Sequence, residues 1–426
     1  MKKKIKFLFT SAGFKQAGVT VVANLGAMSI TALALILVSR YLGPTKFGQF
    51  NVAFSLLLIL SQIADLGLNF AQNKFVGETT NKKIINQVFS QVVAFKLIST
   101  VLLVVLGIIG SKALANYLNF TQPILILVAF VLAGGTIWFE QLSYMLRSLH
   151  RFYWAVSLMV LQAVLKFTGL VALVLVKGKN VSLFFSWYAL APGLTLLLWP
   201  VALPSWLRLN INNQSVKIRK QLINFTKHLS FNLAAMTFLQ NLDVLFVQAY
   251  LSSWETGIYS GISRIALLLV FAAYALGMVL NPRVSRYKQK VDLQVYLKKA
   301  WLVVLIAVIG FLVFLPLAKI LIQLTIGSAY LSGVIYLQFL IAAAFVTFAT
   351  IPFMALFYSF EAPWYFSLTG IGQILILIVA NFLLLPRFGL WAAVMIILAI
   401  RVLTFVFTVA LSYYYYSKLN IVRQVK

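Results

Sequence analysis

Long apolar runs broken by short polar stretches cover almost the whole chain. A helix crossing a hydrocarbon core roughly 30 Å thick needs about 20 apolar residues, and about twelve such runs fit, at about 17–39, 50–72, 87–110, 124–145, 153–176, 181–203, 229–251, 262–281, 300–323, 334–358, 364–386 and 390–413. A membrane barrel would instead show alternation over segments of about ten residues, and none is present. The pattern predicts an all-α polytopic membrane protein.

The breaks carry a second pattern. In "RYLGPTKFGQF", Arg40 to Phe50, Gly43-Pro44 and Gly48 end helices, because glycine tolerates positive φ and proline lacks the amide donor. The same spacing, Tyr-Leu, five residues, Gly, one residue, aromatic, returns 209 positions later as "YLSSWETGIY". At that offset Leu33 falls on Leu242, Val38 on Val247, Tyr41 on Tyr250, Leu42 on Leu251, Gly48 on Gly257 and Phe50 on Tyr259. Span one therefore matches span seven. With six spans per half both copies run in the same direction, so the repeat is parallel and its pseudo-symmetry axis lies along the membrane normal. That geometry suits a rocking transporter. A basic segment, 204–228, follows the sixth span and reads as a cytoplasmic linker between lobes 1–203 and 229–426.

Composition fixes the solvent. The chain is 62% hydrophobic and 10% charged, where soluble domains carry about 25% charged residues, so its surroundings are lipid. The opening "MKKKIKFLFTSAGFKQ" has too short an apolar part for a secretory signal, and residues 1–15 read as a basic, amphipathic segment on the cytoplasmic face before an uncleaved first span. There is no cysteine, which excludes disulfides, thiolate metal sites and cysteine nucleophiles. The net charge of +28 follows the loops alternately, with about four cations on one side of the membrane for each on the other. This is the positive-inside pattern with both termini cytoplasmic, reinforced by attraction to anionic lipid, and it argues against nucleic acid as partner.

Charges within spans mark candidate chemistry, because each costs a few kcal/mol in hydrocarbon. Lys96, Lys166 and Arg401 lie roughly 13–20 Å from either end of their spans, too deep to snorkel easily. They are candidate ligands for phosphate, Arg through a forked contact and Lys as a point charge. Asp65, Glu140 and Asp243 are the acids inside spans, Asp243 within a turn of Gln240 and Asn241. An acid in a cavity can carry H⁺ or hold Na⁺, and these three are candidates for ion coupling; the alternative is that the six charges simply neutralise one another. Pro192, Pro316 and Pro352 remove helical hydrogen bonds and mark kinks or bending points, while Gly134-Gly135 allows close helix approach. The tryptophans cluster at span ends as an interfacial belt. His150 and His228 have no acidic neighbours, and there is neither a metal-ligand cluster nor a phosphate-cradling glycine loop, so no enzyme chemistry or cofactor is expected.

The run "RYLGPTKFGQFNVAFSLLLILSQIADLGL" resembles the first two spans of polysaccharide repeat-unit flippases in the multidrug/oligosaccharidyl-lipid/polysaccharide (MOP) exporter superfamily. "NLDVLFVQAYLSSWETGIYSGISRI" is similar to their seventh span and following loop. The resemblance implies twelve helices in two six-helix lobes that open alternately to each side of the bacterial cytoplasmic membrane. Its implied cargo is an undecaprenyl-diphosphate-linked oligosaccharide, with membrane lipids, a polysaccharide polymerase and glycosyltransferases as partners. The sequence departs from symmetry at Arg40, whose repeat mate is Ala249. Two rivals stay open: an ion-coupled multidrug exporter of the same superfamily, which needs an acidic cavity, and a polytopic polymerase or ligase, which needs a large outer loop or a catalytic cluster.

Overall fold

The computed structural model describes residues 12–209, 215–287 and 289–418, so most of the basic start and the tail beyond Lys418 lie outside the described residues. The structure is helical: α1 (Ala12–Asp65), α2 (Leu68–Gly77), α3 (Lys82–Tyr117), α4 (Pro123–Ser148), α5 (Phe152–Leu175), α6 (Val181–Thr195, extended by short turns to Ala202), α7 (Val216–Tyr250), α8 (Ser253–Val284), α9 (Lys290–Leu324), α10 (Val334–Ser359), α11 (Trp364–Phe388) and α12 (Leu390–Lys418). Among the described residues ten helices are long and apolar enough to cross a membrane. One of them, Gly26–Asp65, covers most of both of the first two expected spans, kinked at Gly43 (φ 71°) just before Pro44. The seventh expected span lies in α7, whose apolar run is diluted by Gln240, Asn241 and Asp243.

The chain folds as two compact units. Of the described residues, the first comprises those up to Leu42 together with those in Gln49–Asn241, and the second Gly43–Gly48 together with those from Leu242 onward. In the first unit α4 is the hub, packed against α2, α3, α5 and α6; in the second, α10 packs against α8, α9 and α12. The two hubs occupy the same place in their respective halves, as the repeat requires. Both hubs are largely buried, whereas α3 and α9 present large apolar side chains outward, including Ile108, Ile109, Leu305 and Ile309. Apolar surface of that extent is tolerable only against lipid.

The described part of the segment expected to link two lobes, 204–228, is packed and partly helical. It belongs to the first unit, and Val216 opens a helix that continues to Tyr250. Ile218, Leu222 and Phe225 recur at helical spacing and pack on the first unit's core, with Leu222 fully buried. The Lys74 ammonium caps this face 4.6 Å above the Phe225 ring.

The repeated loop signature has a packing explanation. A Cβ built on Gly48 would fall 2.0 Å from the Ser253 carbonyl oxygen, and one on Gly257 would fall 1.8 Å from that of Pro44. Each copy's glycine is thus the point at which the other copy's backbone comes closest. Gly→Ala inside a helix ordinarily stabilises, since glycine is the costlier residue there by about 1 kcal/mol. At Gly48 and Gly257 the sign should reverse, with a cost of about 1–3 kcal/mol from overpacking. Gly110→Ala, in α3 with nothing within 4 Å of its built Cβ, should be neutral or stabilising. Thermal unfolding in detergent, followed by tryptophan fluorescence, checks both signs. Gly135 approaches Gly193 similarly, its built Cβ 3.3 Å from the Gly193 Cα, so α4 and α6 meet backbone to backbone.

Candidate functional site: two buried polar clusters

In the first unit the charges meet where a helix breaks. α1 stops at Asp65, Leu66 (φ 52°) and Gly67 (φ 71°) both adopt left-handed backbone, and α2 restarts at Leu68. Lys96, on α3, has no exposed surface, and its Nζ lies 2.7 Å from Asp65 Oδ1. The same ammonium donates to Asn69 Oδ1 at 2.6 Å and to the Ile137 carbonyl at 3.5 Å, which uses all three of its N–H groups. Asn69 turns its amide nitrogen to Glu140 Oε2 at 3.4 Å. Asp65 and Asn69 are both buried, whereas Glu140 is half-buried and forms the open edge of the cluster. The polar seam continues along α2 and α4: Gln141 donates to Gln72, and Ser148 donates to Asn73 Oδ1 at 3.1 Å. Asn69, Gln72 and Asn73 are three and four residues apart and so share one face of α2.

Asp65, Lys96 and Glu140, read separately from the sequence, are therefore one cluster, and in this conformation Lys96 is enclosed by it. Lys166 is not part of it. Its half-buried ammonium, on α5, sits 4.4 Å over the ring of Tyr188, with no hydrogen-bonding or acidic partner among the described residues. Tyr188 is itself buried and packs edge-on against Phe50 and Phe54. A lysine at this depth resting only on an aromatic face keeps its donors free for another acceptor.

In the second unit Asp243 on α7 is buried, accepts a hydrogen bond from the Tyr259 hydroxyl at 2.5 Å through Oδ2, and accepts the Val244 N–H at 2.8 Å through Oδ1. Arg264 acts electrostatically on the carboxyl and Arg401, from α12, on the tyrosine. Arg401 is half-buried. The repeat mates of Asp243 and Tyr259 are Ala34 and Phe50, both fully buried. One position in the fold thus accepts an apolar pair in the first copy and an acid–phenol pair in the second. Packing alone does not call for the acid.

Sequence reading missed Asn69 and Tyr259. Asn69 had a signal, an amide four residues beyond Asp65 in an apolar run, so that both would face one way on a continuous helix. Tyr259 had another, since the second copy of the loop signature ends in an aromatic that carries a hydroxyl where the first ends in Phe50. Among the described residues no group of three or more His, Asp or Glu residues is placed to hold a metal ion.

The chain is similar to known proteins in sequence and in fold. The sequence model of a family described as polysaccharide biosynthesis protein matches residues 14–288. No curated protein matches the chain at a significant level. Among solved structures, an inward-facing multidrug resistance MATE family transporter of the MOP superfamily superposes with TM-score 0.76 at 14% identity, covering 94% of this chain and 99% of that one. The lipid II flippase MurJ, in an inward closed conformation, superposes with TM-score 0.76 at 11% identity, covering 94% and 90%. A MOP superfamily transporter from Pyrococcus furiosus, described as having a binding pocket of reversed polarity, gives TM-score 0.56 at 14% identity, with 95% of each chain covered. At such identities the likeness is one of fold.

Proposed function

The chain belongs to the polysaccharide biosynthesis protein family, and from that premise we propose that it is a flippase moving undecaprenyl-diphosphate-linked oligosaccharide from the inner to the outer leaflet of a bacterial cytoplasmic membrane. It is a membrane transporter with the MOP-superfamily fold, a fold shared by a lipid flippase and by multidrug exporters. The observation that carries the choice of an anionic cargo is Lys166, a mid-span cation whose donors meet no acceptor among the described residues. A diphosphate brings about two negative charges that cannot enter a low-dielectric interior without fixed cations. Lys166 and Arg401 supply them in this reading. Lys96 keeps a structural role, balancing Asp65. The polyprenyl tail stays in lipid and only the head group needs the protein.

Alternating access requires an energy source, and Asp243, held by Tyr259, is the first candidate to bind the coupling H⁺ or Na⁺; Asp65 and Glu140 are the others. Buried acids and the MATE fold favour a second reading, an ion-coupled exporter of amphipathic cations. Depletion of the chain separates the two. A flippase deficit leaves lipid-linked oligosaccharide on the inner leaflet with synthesis intact, and drug sensitivity unchanged; a drug exporter gives the opposite pair of results. Polymerase and glycosyltransferase partners follow from the first reading only.

The proposed orientation places both termini in the cytoplasm, and the absence of native cysteine makes it easy to examine. Single cysteines at Thr45 and Ser253 should react with an impermeant thiol reagent added to intact cells, whereas one at Ser215 should stay unlabelled. Outside labelling at Ser215 would overturn the orientation.

A further inference from the structure

The apolar run at 50–72 reads as one continuous helix, yet the structure breaks it at Leu66 and Gly67. Leu66 carries a side chain, so left-handed backbone is unfavourable there and must be held by its surroundings. Two sets of contacts hold it. On one side Asp65, the last residue before the break, and Asn69, in the first turn after it, both bind Lys96, and Asn69 passes the contact on to Glu140. On the other side Ser230, on α7, sits against the break itself. Its Oγ lies 2.7 Å from the Leu66 carbonyl and 2.5 Å from that of Thr226, donating its one proton to either, and a Cβ on Gly67 would fall 3.4 Å from the Ser230 nitrogen. α7 then runs on to Tyr250, leaving the first unit at Asn241 and entering the second at Leu242.

We propose that the Leu66–Gly67 break is a two-state switch, broken as seen here or wound into a continuous helix, and that Ser230 is the positioning residue through which a change in charge pairing at Asp65, Lys96 and Glu140 reaches α7. In the broken state Asp65 and Asn69, on either side of the turn, grip one ammonium; rewinding would move both relative to Lys96 and would return the Leu66 carbonyl to the helical ladder and away from Ser230. The charged and titratable groups acting on Glu140 are Asp65 from α1, Lys96 from α3, and Tyr144 and Arg147 from α4 itself, while α2 contributes neutral Asn69. Lys166 and Tyr188, on α5 and α6, engage each other. The inference rests on the transporter reading, since a transporter is what gives such a switch its use, but its test needs no cargo.

Gln240 is exposed on α7 beyond Ser230, and Gln240→Cys would be the only thiol in the chain. Its labelling rate is measured in lipid nanodiscs in four backgrounds: otherwise unchanged, Asp65→Asn, Ser230→Ala, and both together. Asp65→Asn should change the rate roughly fivefold or more, a usual size for coupling between sites. In the Ser230→Ala background the same substitution should change it less than about twofold. Ser230→Thr, which keeps the hydroxyl, should restore the response. If Asp65→Asn prevents folding, Glu140→Gln takes its place in the cycle. A response of equal size with and without the Ser230 hydroxyl overturns the proposal, as does a rate that neither carboxyl substitution alters. Either result leaves the flippase reading standing, because no oligosaccharide enters the measurement.

Discussion

Lys96→Met should be the most damaging single change to the fold, costing roughly 3–5 kcal/mol, the usual penalty for removing one member of a buried ion pair. The reason is the company Lys96 keeps. Removing its ammonium leaves the buried Asp65 carboxylate without a counter-ion 2.7 Å away and leaves the Asn69 carbonyl oxygen without its donor. Asp65→Asn should be milder, because the lysine retains two neutral acceptors and the half-buried Glu140 lies beyond Asn69. The double variant Asp65→Asn with Lys96→Met should recover most of the loss, since a pair removed together leaves no orphaned charge. Midpoints of thermal unfolding for the four proteins give the coupling directly. Recovery of export along with stability would confine Lys96 to a structural role. Recovery of stability without export would favour the expected role of Lys96 as a phosphate ligand.

Lys166→Ala and Arg401→Ala are expected to leave the protein folded and in the membrane, yet to lower export by roughly tenfold or more each. Losing one charge-assisted contact to a desolvated phosphate costs about 1.5–3 kcal/mol, which corresponds to a factor of about ten and upward. Stability should move little in Lys166→Ala, because Lys166 loses only a ring contact; Arg401 acts electrostatically on buried Tyr259, so the thermal midpoint of Arg401→Ala is measured alongside its export. Exchange of Lys for Arg, or the reverse, should be milder than either alanine, since charge is kept and only the geometry of the donors changes. Cells carrying the alanine variants should accumulate lipid-linked oligosaccharide on the inner leaflet, which distinguishes failed transport from failed synthesis. Normal export by both variants would remove the basis for an anionic cargo.

The parts of this molecule that were legible in the sequence are those set by one-dimensional pattern. Apolar run length gave the spans, and the Tyr-Leu…Gly-x-aromatic spacing gave the repeat, because both depend on helix rise and loop geometry alone. What pattern does not carry is who meets whom. The spacing announced Gly48 and Gly257 as equivalent, but that each meets the backbone of the other copy is a tertiary fact. Asp65, Lys96 and Glu140 were visible as costly charges, yet their assembly depends on a break at Leu66 that no proline announces and that a leucine would by itself resist. The packing of the basic stretch 216–228 was hidden for a related reason. Its lysines and arginine obscured the spacing of Ile218, Leu222 and Phe225, which makes it a packed helix.

The asymmetry of the two halves adds to the functional reading. Asp243 and Tyr259 stand where Ala34 and Phe50 fill the same register, and at the same offset Arg401 falls on Pro192. The first copy fills these positions with apolar residues or proline, so the repeat itself does not require the charges, and their cost of a few kcal/mol each in hydrocarbon makes them candidates for work on a charged cargo or coupling ion.

That work is measured most directly with the purified chain in sealed vesicles of defined lipid, loaded in the leaflet matching the cytoplasmic face with a fluorescent undecaprenyl-diphosphate-linked oligosaccharide. Head-group quenching from the other side should reveal translocation that depends on the protein, slows in the Lys166→Ala and Arg401→Ala forms, and is not competed by amphipathic cations. Transport of amphipathic cations by the same vesicles, with no translocation of the lipid-linked oligosaccharide, would contradict it.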